Sequence, residues 1–208
     1  MTKVISFISR KGGTGKTTNA INLATSLHQL KKKVLLVETD TNYTISSIRK
    51  IELFKLKKKK DPYFKIIGSR DNRAATEITG LKKSGDYDYI IVDSAGKTTD
   101  KGIRELCLES DMVLITTSLT QNDLLVAFQT VKDLRPAEKL NANLKICILP
   151  NRIHSLTRFT TVVTQLAQLY SEIIQTYVPQ RKTYTTPSTV KADRRYKNVA
   201  KQIIKQLG

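Results

Sequence analysis

Nine consecutive residues, Arg10-Lys11-Gly12-Gly13-Thr14-Gly15-Lys16-Thr17-Thr18, combine glycines with two lysines and several hydroxyls. Glycines let a backbone curl until successive N–H groups converge on one point, where they bind phosphate oxygens. At that spacing Lys16 supplies a point charge to β- and γ-phosphates, and the Thr17 hydroxyl can ligate Mg²⁺. The pattern G-x-x-x-x-G-K-[ST] is not met strictly, because Arg10 stands five positions before Gly15 and a second lysine, Lys11, has entered the loop. Other candidates for chemistry are sparse. Cys107 and Cys147 lie far apart with no CxxC and no neighbouring histidine, which excludes a disulfide framework or a zinc site as the expectation. His28 and His154 fall in no recognisable constellation.

The elements that must position this loop follow from periodicity. Short Val/Ile/Leu-rich runs without clean alternation predict buried strands at Lys3–Ser9, Lys33–Glu38, Tyr89–Asp93, Met112–Thr117 and Leu144–Leu149, with a weaker strand at Tyr63–Ile67. Between them, helical spacing predicts helices at Thr17–Leu30, Tyr43–Leu56, Ala74–Lys83, Thr99–Leu108, Asp123–Leu134, Thr157–Gln175 and Ser188–Leu207. This alternation is that of βαβ units, so residues 1–208 are expected to form one doubly wound α/β domain with a mainly parallel sheet flanked by helices. The glycine-rich run falls between the first strand and the first helix, as a phosphate loop requires. Only ten residues precede the Gly-rich turn, so no N-terminal DNA-reading module is expected.

Composition narrows the partners. With 39% hydrophobic and 26% charged residues over 208 positions, a disordered, collagenous or membrane-spanning class is excluded. No signal-peptide layout precedes Lys11, and a cytoplasmic setting is the expectation. The 36 Lys+Arg against 18 Asp+Glu give a net charge of +18, which concentrates polyanions such as nucleic acid or an anionic membrane. The excess is uneven: Arg49–Lys60 carries a local +6 and Gln180–Gly208 a local +7.

Lys11-Gly12-Gly13-Thr14-Gly15-Lys16-Thr17-Thr18 resembles the deviant phosphate loop of the ParA/MinD ATPases. The resemblance implies that Gly12 to Thr18 hold ATP, and that Lys11 reaches across a nucleotide-sandwich homodimer to the partner's phosphates. It extends along the chain. Val37-Glu38-Thr39-Asp40-Thr41-Asn42 occupies the family's D-x-D-P-Q position, so Asp40 would place the attacking water, although Glu38 replaces the first aspartate and Thr41-Asn42 replace Pro-Gln. Asp40 can alternatively cap the helix that follows. Ile90-Ile91-Val92-Asp93-Ser94-Ala95-Gly96 resembles a Walker B strand whose Asp93 would hold, with Thr17, the Mg²⁺ site, while Gly96 lets a switch region approach the γ-phosphate. Leu149-Pro150-Asn151-Arg152 and Val178-Pro179-Gln180-Arg181 resemble the two turns beside the adenine, implying base-side contacts from Asn151, Arg152 and Pro179. Both turns also read as ordinary loops.

Within the family the small ParA class that begins at the phosphate loop fits best. It implies a slow, partner-stimulated ATPase whose ATP dimer binds non-specific DNA in plasmid or chromosome partition. A ParB-like centromere-binding protein then triggers hydrolysis and release, and the nucleoid is the expected location. Candidate DNA contacts are Arg181, Lys182, Lys191, Arg194, Arg195, Lys197 and Lys201, with Lys57–Lys60 as a second patch or a solvated loop. The iron-protein branch is dismissed for lack of cluster cysteines. A MinD-like reading would use the basic C-terminal helix, whose Val199, Ala200, Ile203, Ile204 and Leu207 form an apolar stripe. That stripe carries no Trp or Phe and equally suits packing on the sheet, so a membrane is not the expected partner. A small-molecule ligase on the same fold, and a relative that binds nucleotide without turnover, remain as alternatives.

Overall fold

The computed structural model describes residues 1–96 and 99–208. Strands β1 (Lys3–Phe7), β2 (Val34–Glu38), β3 (Lys65–Gly68), β4 (Tyr89–Asp93), β5 (Met112–Thr117), β6 (Lys145–Ile153), β7 (Glu172–Ile173) and β8 (Val178–Pro179) alternate with helices. The helices are α1 (Lys16–Gln29), α2 (Thr44–Lys55), α3 (Asp71–Ser84), α4 (Asp100–Glu109), α5 (Gln121–Glu138), α6 (Phe159–Leu166) and α7 (Tyr196–Leu207). The strand order is β3-β2-β4-β1-β5-β6-β7, with β8 also on β6, and every described pairing is parallel.

Why the strand runs lack alternation is visible in the packing, since both faces are covered. Val4, Leu35, Val37, Ile90, Val92, Val113 and Ile115 pack with the apolar sides of α3, α4, α5 and α6. Their neighbours Ile5, Phe7, Leu36, Ile91, Leu114, Cys147 and Leu149 pack with α1, α7 and Ile45 of α2. Each fully buried side chain of this kind contributes about 1.5–3 kcal/mol. Cys107 and Cys147 are free and buried in α4 and β6, serving as small apolar groups.

Two helix expectations are overturned in part. The stretch expected as one helix over Thr157–Gln175 is α6, a 3-10 turn at Ala167–Leu169, and then β7. Tyr170 takes a left-handed φ of 50°, which stops the helix, and β7 then pairs with β6. The closing helix begins at Tyr196, not Ser188. Thr189 is held instead by Arg49 and Glu52 of α2, which bind its hydroxyl, carbonyl and N–H, and the chain bends until Tyr196. The late strand is also longer than expected and takes Asn151 and Arg152 into β6.

Register builds the functional edge. Phe7 pairs with Asp93 and Asp93 with Glu38, so the loops leaving β1, β4 and β2 emerge side by side at the C-terminal edge of the sheet. In parallel α/β sheets this edge is where ligands bind.

Candidate nucleotide-binding site

The phosphate loop turns on two left-handed glycines, Gly13 at φ 78° and Gly15 at φ 100°, the second directly preceding α1. Other side chains are strained in that region, and at Gly15 a Cβ would also lie 2.3 Å from the Asn151 amide nitrogen. Asn151 earns that closeness by donating to the Thr14 carbonyl at 2.8 Å, bracing the loop from β6. Thr116 on β5 donates to the Thr14 hydroxyl at 3.2 Å from the other side. Gly96 faces Gly12 across the opening: a Cβ at Gly96 would sit 3.5 Å from the Gly12 Cα and 3.8 Å from Lys16 Nζ.

Lys16 is 6% exposed and its ammonium donates to the Lys11 carbonyl at 3.3 Å. Burial lowers its pKa, and the nearby Asp93 and Asp40 carboxylates oppose that. Asp93, at the end of β4, is 2% exposed. Burial raises its carboxyl to about 7, against the pull of the Thr17 hydroxyl and the Lys16 ammonium. Its Oδ1 has no hydrogen-bond partner among the described residues. A buried carboxylate oxygen left bare beside a threonine hydroxyl is a donor set for a hard cation with oxygen ligands, so these residues fit Mg²⁺. No cluster of three or more His, Cys, Asp or Glu exists among the described residues, so an all-protein metal cage is not the alternative.

Asp40 and Glu38 divide their work. Glu38, buried, accepts from the Ile45 N–H at 2.7 Å and the Ser46 N–H at 3.3 Å, capping α2 from the preceding strand. Burial pushes its carboxyl up and these N–H groups pull it back. Asp40 is half-buried and accepts from the Asn42 N–H at 3.0 Å in a local turn. Capping of α2 therefore belongs to Glu38, while the Asp40 charge is felt by both Lys16 and Asp93. Thr39 adds a link absent from the sequence reading, accepting from the Ala95 N–H at 3.0 Å and tying this loop to the segment after β4.

Lys11 does not point inward. It reaches Asp123, at the first turn of α5, with a 2.9 Å ion pair, and Ser118 donates to the other Asp123 oxygen at 2.7 Å. Burial pushes the Asp123 carboxyl up, yet these two contacts outweigh it and hold it below the usual range. Arg10 likewise turns outward, to Asp100 at 2.7 Å and to Asp133. Asp123 was invisible as a partner in sequence, because nothing local joins a residue on α5 to one more than a hundred positions earlier.

Beside the loop lies a cavity of about 450 Å³ lined by Gly15, Thr18, Asn151, Arg152, Pro179, Gln180, Arg181, Tyr184 and Thr185. It gathers Asn151, Arg152 and Pro179, the residues expected on the base side, next to the start of α1. Arg181 sits on its wall, paired with Asp193 at 2.9 Å, rather than with the outer cations. Lys182, Lys191, Arg194, Arg195 and Lys201 are exposed and Lys197 half-buried, and among the described residues none forms an ion pair. Only Lys197 and Lys201 of these lie on α7. The α7 stripe is spent on packing: Val199, Ala200, Ile203 and Leu207 are at most 5% exposed, and the buried Tyr196 hydroxyl donates to Asn19 of α1.

Residues 5–191 match the family described as the CobQ/CobB/MinD/ParA nucleotide binding domain. A curated relative, an uncharacterized ATP-binding protein of Methanocaldococcus jannaschii, is 28% identical over 142 residues, 55% of this chain. The match takes in 52% of that relative, so the chain spans about half the length of the curated protein it matches. Among solved structures, the MinD cell division protein of Aquifex aeolicus superposes with a TM-score of 0.69 at 22% identity, covering 98% of this chain and 97% of that one. A putative plasmid partition protein of Borrelia burgdorferi bound to AMPPNP gives 0.69 at 21% identity, covering 99% and 98%. Cobyrinic acid a,c-diamide synthase of Mycobacterium smegmatis with bound ADP and magnesium gives 0.72 at 16%, covering 99% and 95%. At these identities the likeness is one of fold, and it spans three different biological roles. The family match covers most of the chain, and the chain belongs to that family.

Proposed function

We propose that this family member is a partition-type ATPase that binds Mg²⁺-ATP, closes into a sandwich homodimer, and holds non-specific DNA until hydrolysis releases it. The observation that carries the reading is the pairing of the buried Lys16 and Asp93, beside the half-buried Thr17, with a second loop lysine, Lys11, at the exposed mouth of the same loop. A single-site nucleotide binder needs the first and has no use for the second.

In this reading the loop N–H groups and Lys16 hold the phosphates, while Asn151, Arg152 and Pro179 flank the base in the adjoining cavity. Thr17 and Asp93 hold Mg²⁺, which neutralises charge on the phosphates. Asp40 orients the attacking water from the edge of β2. Lys11 leaves Asp123 and meets the partner's phosphates, supplying positive charge where negative charge develops. The free cations Lys182, Lys191, Arg194, Arg195, Lys197 and Lys201 contact DNA phosphates. Doubling that surface in a dimer raises DNA affinity by effective concentration, so ATP gates binding through dimerisation. A ParB-like centromere-binding protein is the proposed stimulating partner, and the nucleoid the proposed location.

The charge of +18 favours this over a small-molecule ligase, which would need a second substrate pocket with its own catalytic groups. The packed α7 stripe disfavours a MinD-like membrane helix. The test is binding to a random-sequence duplex with ATP, ADP or no nucleotide at two salt concentrations. Binding that requires ATP and collapses with salt is expected. Binding indifferent to nucleotide, or none in any state, would overturn the reading.

A further inference from the structure

The C-terminal end of α2 carries a surface that the nucleotide site does not use. Ser47, Lys50, Ile51, Phe54 and Lys55 all lie on the solvent side of this helix, while Ile45 and Arg49 face inward. Ile51 and Phe54, three residues apart, are therefore neighbours on the outside, flanked by Lys50 and Lys55. Phe54 is 85% exposed, Ile51 54% and the following Leu56 47%. A helix of a globular domain ordinarily turns such residues to the core. Here they protrude.

The chain then closes the helix with a tight cap. Lys57 adopts φ 53°, its N–H donates to the Phe54 carbonyl at 3.0 Å, and the Lys58 N–H donates to the Leu53 carbonyl at 3.0 Å. A lysine occupies the left-handed position where glycine is the usual choice. Lys58, Lys59 and Lys60 follow, all exposed.

The charge on this tip is uncompensated. Its two acids are engaged away from the lysines: Glu52 accepts from the Thr189 N–H at 2.9 Å, and Asp61 takes the buried Arg49 guanidinium at 2.7 Å. Arg49 is only 3% exposed and so leaves the surface count, a correction to the basic run read from sequence. Six lysines remain, Lys50, Lys55 and Lys57–Lys60, and among the described residues none pairs with a carboxylate. The end of α1 adjoins, through ring contacts of His28 with Tyr63 and Phe64, and Lys31, Lys32 and Lys33 follow it.

We propose that the tip of α2 is a docking element for an anionic lipid bilayer, with Ile51, Phe54 and Leu56 entering the headgroup–acyl boundary and the surrounding lysines meeting acidic headgroups. Apolar side chains ringed by cations are the composition of interfacial elements. Duplex DNA would engage the lysines and leave three protruding apolar groups in water. A second copy of this chain would set six cations against six. The α7 helix cannot serve, because its apolar stripe is buried. Since α2 starts at the nucleotide edge and runs about 18 Å away from it, docking at its far end does not obstruct the phosphate loop.

The experiment is vesicle flotation of the full chain, without nucleotide, on phosphatidylcholine vesicles and on vesicles with about 30% phosphatidylglycerol. It is run beside duplex and single-stranded DNA binding, measured separately in the presence of ATP. The wild type should float only with the anionic vesicles. The double variant Ile51→Ser/Phe54→Ser, at exposed positions that leave the core intact, should lose about tenfold or more in vesicle affinity and keep duplex affinity unchanged. Wild type that does not float would overturn the proposal. Flotation unaffected by the double variant would overturn it too, leaving only diffuse attraction. Loss of DNA binding in the double variant, without vesicle binding by the wild type, would assign the tip to nucleic acid instead. None of these outcomes depends on ATP hydrolysis, so failure here is separable from failure of the partition reading.

Discussion

The Lys11 ammonium and the Asp123 carboxylate meet at 2.9 Å within one chain, joining the phosphate loop to the start of α5. The lysine proposed to cross to a partner subunit is therefore held in cis when alone. Its side chain is 44% exposed, and an ion pair in that setting is worth about 0.2–1 kcal/mol. Such a contact is strong enough to order a long side chain and weak enough to exchange for phosphate.

From this pair follows a prediction about assembly. Asp123→Ala should raise ATP-dependent dimer affinity by no more than about fivefold, the size of a half-exposed ion pair. Lys11→Ala should bind ATP and remain monomeric. Sedimentation velocity with ATP reads both, and a Lys11→Ala dimer of wild-type affinity would remove the cross-subunit role.

Lys16→Ala should leave Mg²⁺-ATP binding undetectable by calorimetry, because the buried ammonium is the loop's only inward-facing cation among the described residues. Wild-type affinity in that variant would contradict the phosphate-loop assignment.

Asp93 makes stability depend on pH with a definite sign. Its folded pKa of about 7 lies above the ordinary 3.8, so between those values the folded state keeps a proton that the unfolded state has lost. Stability from this group therefore falls as pH rises through that window, and the penalty is complete above about pH 7. Without metal, Asp93→Asn should melt higher than wild type at pH 8 and near it at pH 4. Added Mg²⁺ with nucleotide should stabilise only the wild type at pH 8. A melting difference independent of pH would show that Asp93 is not held protonated.

The two acids of the β2 edge should separate cleanly. Asp40→Ala should fold and bind ATP, lose hydrolysis and stay on DNA as the ATP dimer. Glu38→Ala should cost about 1–3 kcal/mol in urea unfolding, since it strands buried N–H groups at the start of α2. Unchanged hydrolysis in Asp40→Ala, or unchanged stability in Glu38→Ala, would reverse the division of labour.

Much of the fold was legible because its signals are local. A parallel sheet covered on both faces demands continuous apolar runs, and β1, β2, β4 and β5 were read within two residues at each end. The phosphate loop was equally plain, as Gly13 and Gly15 take left-handed angles that their residue type alone anticipates. The misreadings share one cause. Residues 188–195 have helical spacing, but Arg49 and Glu52 bind Thr189 from about 140 positions away, and the segment runs as bends and turns up to Tyr196. Likewise β7 forms because β6 offers an open edge, which no window around Glu172 can reveal.

Residue type and spacing alone therefore determined the class of fold, the phosphate loop and the family, since each rests on contacts between near neighbours. Tertiary structure alone decided where the charges go. Arg49 turns inward and takes Asp61, and Glu52 takes Thr189, while Phe54 and six lysines turn outward and Arg181 joins the cavity wall. A cation's sequence position says nothing about whether a carboxylate from a distant element will meet it, and only packing brings the two together.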